Sequence, residues 1–375
     1  MRNFILFFLF AFPCLSSAQN DAAFWVKKGD VSLDSGMYAK SIIHYSTAIA
    51  KDPSYESAWE KRGTAKFYLE QYNEALEDFT KAIGLQPDDT SAYFLRGKTQ
   101  WRLENAEAAI ADFNKALALD PKNAEAYNYR GMVKARLQNN DEEGIKDFLA
   151  AIALDPAYAM AYVNLGCSQD ILERHDDALA SFDKAIAADP LDDAGYYNKG
   201  YTEIEMERYD DAIRDFSRAI KINPTNDNSY SERANAYDLS GHFHKALKDY
   251  SKAIHLNPDP ITYNDRGVAY YRHKKYSKSI ADLTKSIDLG DPTGHSYHNR
   301  GVARMETGQV KAALEDFSKA VELDPDNVYF YEDKAEAEDA LGDYAAAIKT
   351  LQKALERFPD DKTVQDKLDH ESRKR

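Results

Sequence analysis

Apolar residues in the middle of the chain recur at spacings of three and four, as they do on one face of an amphipathic helix. The apolar face of a first segment consists of Tyr162, Leu165 and Gly166, and that of a second segment consists of Ala178, Phe182 and Ala185. Pro190 ends the second segment, because proline cannot continue a helix. The pattern predicts two antiparallel helices in which Tyr162 and Phe182 fill the space between the helices. Gly166 and Ala178 are small, so the two backbones can approach closely there.

The same pattern returns every 33 to 35 residues along the chain. Each unit begins with an aromatic residue, here called the opening aromatic: Trp25, Trp59, Tyr93, Tyr127, Tyr162, Tyr196, Tyr230, Tyr263, Tyr297 and Tyr331. The residue four positions later is glycine in eight units and alanine in two. A period of this length is typical of helical hairpins that stack side by side, because one hairpin cannot bury its apolar face alone. The spacing predicts ten hairpins over residues 22–360.

The opening aromatic, the small residue after it, the second-helix aromatic and the closing proline together resemble the tetratricopeptide repeat (TPR) family. The resemblance implies an all-α fold, an α-solenoid of stacked helix-turn-helix hairpins that forms a right-handed superhelix. In this family the first helices of the hairpins line a concave groove that binds peptides or partner proteins. Residues 361–375 follow the last unit, and their polar composition and basic end predict a capping helix that shields the last apolar face.

Charge and hydropathy narrow the choice of partners. The chain carries 63 acidic and 48 basic residues, which gives a formal net charge of −15. Such a chain repels phosphate backbones, so we expect no nucleic-acid partner. Beyond the N-terminal segment, no apolar run is long enough to cross a bilayer, so we expect no membrane span.

The first residues have the features of a secretory signal peptide. Arg2 is followed by an apolar run from Phe4 to Phe12, and small residues precede Gln19. We expect residues 1–18 to be removed by cleavage after Ala18, and the protein to be exported to the periplasm or the extracellular space. A lipoprotein would need a small residue before Cys14, where Pro13 stands. The remaining cysteine, Cys167, cannot form an intramolecular disulfide and is expected to be a packing residue.

No constellation in the sequence indicates catalysis. The glycines recur as repeat positions and match neither a phosphate-binding loop nor a dinucleotide fingerprint. His242, His244, His295 and His298 are spaced so that pairs could share a metal, but no cysteine or carboxylate accompanies them at ligand spacing. We therefore expect solvated histidines, no metal, no cofactor and no enzymatic activity.

Candidate binding residues lie on the first helices, at offsets of +1, +2, +5, +8 and +9 from each opening aromatic. Early in the chain these positions hold four aromatic side chains, Phe67, Tyr68, Phe94 and Trp101. The opening and second-helix aromatics already fill the hairpins, so these four rings are candidates for ligand contact. The alternative is that they pack between neighbouring first helices.

A row of asparagines follows at similar positions: Asn128, Asn164, Asn198, Asn264 and Asn299. Asparagine donates and accepts hydrogen bonds, so such a row can hold the backbone of an extended peptide. The row, which Glu232 interrupts, is similar to the asparagine-lined groove of O-linked N-acetylglucosamine transferases, although no catalytic domain follows it. Four later acids, Glu332, Asp333, Glu336 and Asp339, are expected to make the end of the groove acidic.

These patterns predict an exported TPR adaptor that holds an extended peptide or a partner protein in its groove. The clamp with which chaperone-binding TPR proteins hold a C-terminal carboxylate is not reproduced, because Val26, Asp30 and Lys61 occupy the equivalent positions. One alternative is a scaffold subunit of an envelope or secretion assembly that uses its convex face. Another is a carbohydrate or envelope-polymer binding protein in which the groove aromatics stack on sugar rings.

Overall fold

The computed structural model describes residues 21–291 and 293–374. Within these ranges the chain forms 21 α-helices and no strands. The helices divide into two compact units, with unit 1 ending at Pro190 and unit 2 beginning at Leu191. The predicted signal peptide and cleavage site, together with Pro292 and Arg375, lie outside the described residues.

Unit 1 consists of five consecutive helical hairpins, and the two helices of each hairpin contact each other along their length. We number a hairpin by its place in the chain, so that hairpin 1 is α1 with α2. The helices of unit 1 are α1 (Ala22–Asp34), α2 (Tyr38–Lys51), α3 (Glu56–Tyr68), α4 (Tyr72–Leu85), α5 (Thr90–Arg102), α6 (Ala106–Leu119), α7 (Ala124–Leu137), α8 (Asp141–Leu154), α9 (Ala159–Ile171) and α10 (His175–Ala188).

Unit 2 contains hairpins 6 to 10 and one further helix. In both units the second helix of a hairpin contacts the first helix of the next hairpin in that unit. The helices of unit 2 are α11 (Asp193–Glu205), α12 (Tyr209–Ile222), α13 (Asp227–Leu239), α14 (Phe243–Leu256), α15 (Pro260–Arg272), α16 (Tyr276–Asp288), α17 (His295–Met305), α18 (Val310–Leu323), α19 (Val328–Ala340), α20 (Tyr344–Arg357) and α21 (Lys362–Lys374).

Short polar linkers separate the hairpins, and their side chains begin many of the first helices. Asp89 accepts a hydrogen bond from the Ser91 amide at 2.9 Å, and Asn123 accepts one from the Ala126 amide at 2.8 Å. Such a cap satisfies an amide that has no partner within its own helix. The linkers therefore fix where each first helix begins.

In most hairpins the core is an aromatic ring from the second helix that lies against the glycine of the first helix. Phe182 is buried, and a Cβ atom built on Gly166 would lie 2.5 Å from its ring. The predicted close approach at Gly166 is therefore between a backbone and a ring. In hairpin 4, Gly144 takes the usual alanine position, and there a Cβ would lie 3.0 Å from the carbonyl oxygen of Gly131. That contact is between two backbones, as predicted for the alanine position.

Hairpins 7 to 9 depart from the regular pattern. Helices α14 and α15 are joined by a short linker with Asp259 as the cap, and they contact each other less extensively than the other neighbouring hairpins within each unit do. In hairpin 8, Leu283 replaces the aromatic ring and is fully buried against Gly267. The buried hydroxyl of Ser279 has no hydrogen-bond partner among the described residues.

Candidate functional site

An arginine of the first helix fixes the position of that helix in six hairpins. It lies three residues after the opening aromatic and forms a bidentate ion pair with an aspartate that directly precedes the buried residue of the second helix. Arg96, for example, donates to both oxygens of Asp112 at 2.7 and 2.8 Å, and its guanidinium also donates to Thr80 of the preceding hairpin. The six pairs are Arg62–Asp78, Arg96–Asp112, Arg130–Asp147, Arg233–Asp249, Arg266–Asp282 and Arg300–Asp316.

We call these contacts the arginine lattice, because each arginine joins three helices. The sequence interpretation missed it, although the signal is periodic: arginine and aspartate are replaced together in hairpins 1, 5 and 10, whereas hairpin 6 has Lys199 in place of arginine and keeps Asp215. In hairpin 5, Leu165 stands in place of arginine, and Ser181, in place of aspartate, donates to Gln169 at 2.6 Å. Bidentate, partly buried pairs hold geometry better than exposed ones. The lattice therefore sets the orientation of the first helices, which carry the candidate site.

Large apolar side chains are exposed on one face of the first helices. This first-helix face consists of the offsets +1, +2, +5, +8 and +9 together with −2, which lies three residues before +1 and hence on the same side of a helix. Tyr68 is 56% exposed, Ile261 70% and Tyr329 67%. The sequence interpretation missed the −2 position. The exposed apolar residues of this face are Tyr68, Met160 and Ile171 in unit 1, and Tyr201, Leu239, Ile261 and Tyr329 in unit 2.

The four aromatic candidates of unit 1 differ in exposure. Phe94 is buried, with its ring centroid 5.9 Å from that of Phe113 and 5.7 Å from that of Tyr129. Trp101 is half-buried and contacts the same tyrosine edge-on at 5.6 Å. Phe94 and Trp101 thus both contact Tyr129, on the first helix of the next hairpin. This is the alternative in which the rings pack between neighbouring first helices. The expectation that Phe94 is not needed in the core was wrong.

The other two aromatic candidates lie in hairpin 2. Phe67 is half-buried and contacts Tyr72 of the same hairpin at 5.6 Å between ring centroids. Tyr68 stacks on Tyr38 at 4.9 Å and keeps more than half of its surface exposed. Of the four rings, Tyr68 is therefore the one that presents most surface to a ligand.

The two asparagines of unit 1 are bonded to each other. Asn164 donates to the side-chain oxygen of Asn128 at 2.9 Å, and Asn128 donates to the hydroxyl of Tyr158 at 3.2 Å. Both asparagines are buried. A ligand that used either amide would have to replace one of these bonds.

The asparagines of unit 2 are only half-buried. Asn299 donates to the side-chain oxygen of Asn264 at 2.9 Å, and Asn198 donates to the backbone carbonyl of Ala194 at 2.8 Å. The row of asparagines is thus continuous from hairpin 8 to hairpin 9 through this hydrogen bond between Asn264 and Asn299. Asn264 and Asn299 keep partial exposure on the first-helix face, together with Glu232 and Asp265.

Burial changes the acidity of these two carboxyls. It raises the pKa of Glu232 to about 7, with a further contribution from the charge of Asp265. Burial likewise raises the pKa of Asp265 to about 6. Near neutral pH this part of the first-helix face therefore carries less negative charge than its composition suggests.

The end of unit 2 is less acidic than the sequence indicated. Glu332 pairs with Lys367 at 2.7 Å, and Asp339 pairs with Lys374 at 2.9 Å. Both lysines belong to α21, which packs beside α19 and α20. Asp333 bonds to His298 at 2.6 Å, and Glu336 is exposed. Three of the four expected groove acids thus already have a partner, which corrects the expectation of an open acidic end.

The histidine side chains take part in packing and hydrogen bonds. His298 stacks on Phe330 at 4.8 Å between ring centroids, so the expectation that it is solvated was wrong.

The thiol of Cys167 is shielded, and burial raises its pKa to about 11, which agrees with a packing role.

Three carboxylates of unit 1, those of Glu56, Glu60 and Asp89, come within 4.8 Å of one another. Burial and the charge of Asp89 raise the pKa of Glu56 to about 7, so a bound proton relieves part of their repulsion near neutral pH. Asp89 also serves as the cap of α5, and Glu60 accepts a hydrogen bond from Ser91 at 2.7 Å. The cluster is therefore part of the linker structure between hairpins 2 and 3.

Family models described as tetratricopeptide repeat match the chain over residues 60–124, 96–159, 159–190, 194–226, 228–260 and 298–362. Together these ranges span more than half of the 375 residues. The chain belongs to the tetratricopeptide repeat family. The helical hairpins within these ranges are therefore TPR hairpins, and the predicted all-α solenoid class is confirmed.

Two solved structures are similar to the chain along most of its length, and a third matches about half of it. The APC/C hetero-tetramer Cut9-Hcn1 is 15% identical, with a TM-score of 0.54 over 93% of this chain and 76% of that one. Yeast Tom70 is 16% identical, with a TM-score of 0.53 over 94% and 88%. YrrB, described as a TPR protein with an unusual peptide-binding site, is 24% identical over 48% of this chain and 93% of that one, with a TM-score of 0.41. Comparison with curated proteins finds no match.

A search of the described residues for membrane spans finds no helix with the length and apolar character needed to cross a bilayer.

Proposed function

We propose that the chain is an exported TPR adaptor with ten repeats, whose first-helix face forms a concave groove for an extended peptide or a segment of a partner protein. The TPR fold is a scaffold for protein–protein interaction, and the proposal extends this general role to a defined face. Membership of an envelope complex is part of the proposal.

The observation that carries the proposal is the exposure of large apolar side chains on the first helices. Val31 aside, each exposed large apolar residue within a described first helix lies on the first-helix face. Apolar side chains that are exposed together on one face, rather than scattered singly, are typical of interaction surfaces. Asn264 lines a pocket together with Ile261, and the half-buried amides of Asn264 and Asn299 add groups that can bond to a peptide backbone.

A selection experiment tests the proposal and does not require the natural partner to be identified first. Peptides are selected from a random phage library on the purified protein, and their affinities are then measured for Ile261→Ser, Tyr329→Ser and Tyr68→Ser. We expect at least one of these variants to lose about tenfold in affinity, which corresponds to about 1.4 kcal/mol. Leu149→Ser is the matched control, because Leu149 is exposed on α8, a second helix.

Other outcomes would replace the proposal. A loss of affinity for Leu149→Ser alone would favour a scaffold that binds through its second helices. Binding to soluble oligosaccharides that Trp101→Ala abolishes would favour the carbohydrate alternative. If the library yields no peptide that any of these substitutions weakens, the groove hypothesis is wrong.

Export to the periplasm or the extracellular space is part of the same proposal and rests on the sequence of residues 1–18. N-terminal sequencing of protein recovered from a Gram-negative host tests it. We expect the mature chain to begin at Gln19. A chain that keeps Met1 and stays with the cytoplasmic fraction would contradict the proposal.

A further inference from the structure

One face of hairpin 1 carries exposed residues whose equivalents in the later hairpins are buried. Val31, six residues after the opening aromatic, is 62% exposed. The equivalent residues of the later hairpins are all buried: Ala65, Thr99, Val133, Ser168, Thr202, Ala236, Ala269, Ala303 and Ala337. Phe24, directly before the opening aromatic, is half-buried, where the nine equivalent residues are buried. Hairpin 1 therefore presents a stacking surface to solvent.

This open face forms a surface pocket of about 450 Å³. Phe24, Val31 and Met37 form its apolar floor, and Met37 is exposed. A repeat array normally closes such an end with a polar helix, as α21 does at the other end. The pocket is thus an apolar stacking surface of the kind that interior hairpins bury against a second helix.

The rim of the pocket is basic, although the chain as a whole is acidic. The exposed side chains of Lys27, Lys28 and Lys40 surround the floor, and none of the described residues that line the pocket carries a carboxylate. The ammonium group of Lys28 lies 4.8 Å from the ring centroid of Phe24. A partner that covers the floor therefore gains most if it carries negative charge at its edges.

The arginine lattice shows how such a partner would be held. Lys28 stands three residues after its opening aromatic, at the position of the lattice arginines. In later hairpins that arginine donates to the second helix of the preceding hairpin; Arg62, for instance, donates to Ser46 at 3.0 Å. The side chain at this position is thus directed toward the helix that covers the face.

We propose that the open face of hairpin 1 binds an acidic amphipathic helix of a partner protein, in the place that a preceding second helix occupies elsewhere. Small apolar residues of the partner helix would cover Phe24 and Val31, and its carboxylates would pair with the three lysines. This surface is separate from the first-helix face, so the proposal stands or falls independently of peptide binding in the groove.

A peptide with the sequence of α4, YNEALEDFTKAIGL, is a suitable probe, because α4 covers the equivalent face of hairpin 3. The peptide is stapled, since an isolated helix of this length is marginal in water, and it carries a fluorophore. Fluorescence anisotropy is measured with the chain from Gln19 onward and with the full chain. We expect saturable binding to at least one form, and at least tenfold weaker binding of a peptide with Glu74, Glu77 and Asp78 replaced by lysine.

Variants of the exposed residues locate the binding surface. Val31→Asp and the combination Lys27→Glu with Lys28→Glu should each weaken binding at least tenfold, with melting temperatures close to that of the wild type. Tyr329→Ser, on the first-helix face of unit 2, should leave binding unchanged. Binding that none of the hairpin 1 variants weakens, or no binding to either form of the chain, would overturn the proposal. Dimerisation of the chain that Val31→Asp abolishes would overturn it in favour of a second copy as the occupant.

Discussion

At the scale of single residues, the closest packing in most hairpins is between a glycine and an aromatic ring. A Cβ atom on Gly166 would lie 2.5 Å from Phe182, whereas one on Gly84 of α4 would have no neighbour within 4 Å. At Gly166 the ring of Phe182 leaves no room for a larger residue. At Gly84 there is room for a side chain, and glycine there only weakens the helix.

This contrast gives a paired prediction. Gly166→Ala should lower the free energy of unfolding by about 1–3 kcal/mol through overpacking. Gly84→Ala should raise it by about 1 kcal/mol, because alanine has the higher helix propensity. Urea unfolding followed by circular dichroism measures both. A neutral Gly166→Ala variant would mean that the ring of Phe182 moves aside without cost.

At the same scale, sequence patterns do not predict which side chains of the candidate site are exposed. Offsets from the opening aromatic predict the side of a helix but not whether a neighbouring helix covers that side. Phe94 and Asn164 both lie at predicted groove offsets, and both are buried by contacts with α7. Tyr68 lies at such an offset too, and it remains exposed. The difference depends on which side chain a neighbouring hairpin, before or after it in the chain, places opposite, and the pattern of a single helix does not contain that information.

At the scale of elements, the arginine lattice can be tested by giving hairpin 3 the residues that hairpin 5 has at the same positions. Removal of one partner of a partly buried ion pair leaves a charge without compensation, so Arg96→Leu alone should cost about 3 kcal/mol. In hairpin 5, Leu165 takes the place of the arginine, and Ser181 takes the place of the aspartate and bonds to Gln169. Hairpin 3 already has a glutamine, Gln100, at the position of Gln169.

The double variant Arg96→Leu with Asp112→Ser should therefore recover most of the lost stability. A double-mutant cycle from urea unfolding measures the coupling, and we expect it to exceed about 1 kcal/mol, as for other residues of one ion-pair network. Additive effects of the two substitutions would show that the pair contributes little beyond its separate contacts.

Hairpins 7 to 9 are expected to open before the regular hairpins. The contact of α14 with α15 is limited, the Ser279 hydroxyl is buried without a partner among the described residues, and Leu283 fills less volume than a ring. Native-state hydrogen exchange should show lower protection for hairpins 7 to 9 than for hairpins 2 and 3. Equal protection in both regions would refute the prediction.

The hairpins themselves are predictable from sequence, because their signals are local. Spacing of apolar residues, closing prolines and capping residues such as Asn123 act within one helix or linker. The lattice joins residues 16 or 17 positions apart, on different helices, and its periodicity becomes visible only when the units are aligned with one another.

At the scale of the whole molecule, buried carboxyls should make stability depend on pH. Burial and the nearby Asp215 raise the pKa of Glu203 to about 8 from an ordinary value of 4.5. Glu203 is 1% exposed, and its Oε2 atom has no hydrogen-bond partner among the described residues. The pKa of Glu56 and that of Glu232 are also raised, to about 7 in each case, so both groups change stability with pH in the same direction as Glu203.

A folded-state pKa above the unfolded value means that the folded protein takes up protons first as the pH falls. Stability from these groups should therefore increase as the pH falls from about 8 to about 5. Glu203→Gln should raise the melting temperature at pH 8 and flatten its rise toward pH 5. Glu207→Gln, which removes the same charge from an exposed turn, is the control. A melting temperature of the Glu203→Gln variant that tracks the wild type at every pH would contradict the prediction.

The exceptions in the arginine lattice bear on the ancestry of the gene. The residue three positions after the opening aromatic is, in chain order, lysine, three arginines and leucine in unit 1, then lysine, three arginines and lysine in unit 2. The fifth hairpin of each unit replaces aspartate by a hydroxyl residue, Ser181 or Thr350, and each hydroxyl donates to the side chain seven residues after the opening aromatic. Duplication of an ancestral block of five hairpins would leave this period, and the boundary between the copies would fall at the division after Pro190. Relatives that carry a single block would then be expected to lack the arginine in their first and fifth hairpins and to have it in the three between them.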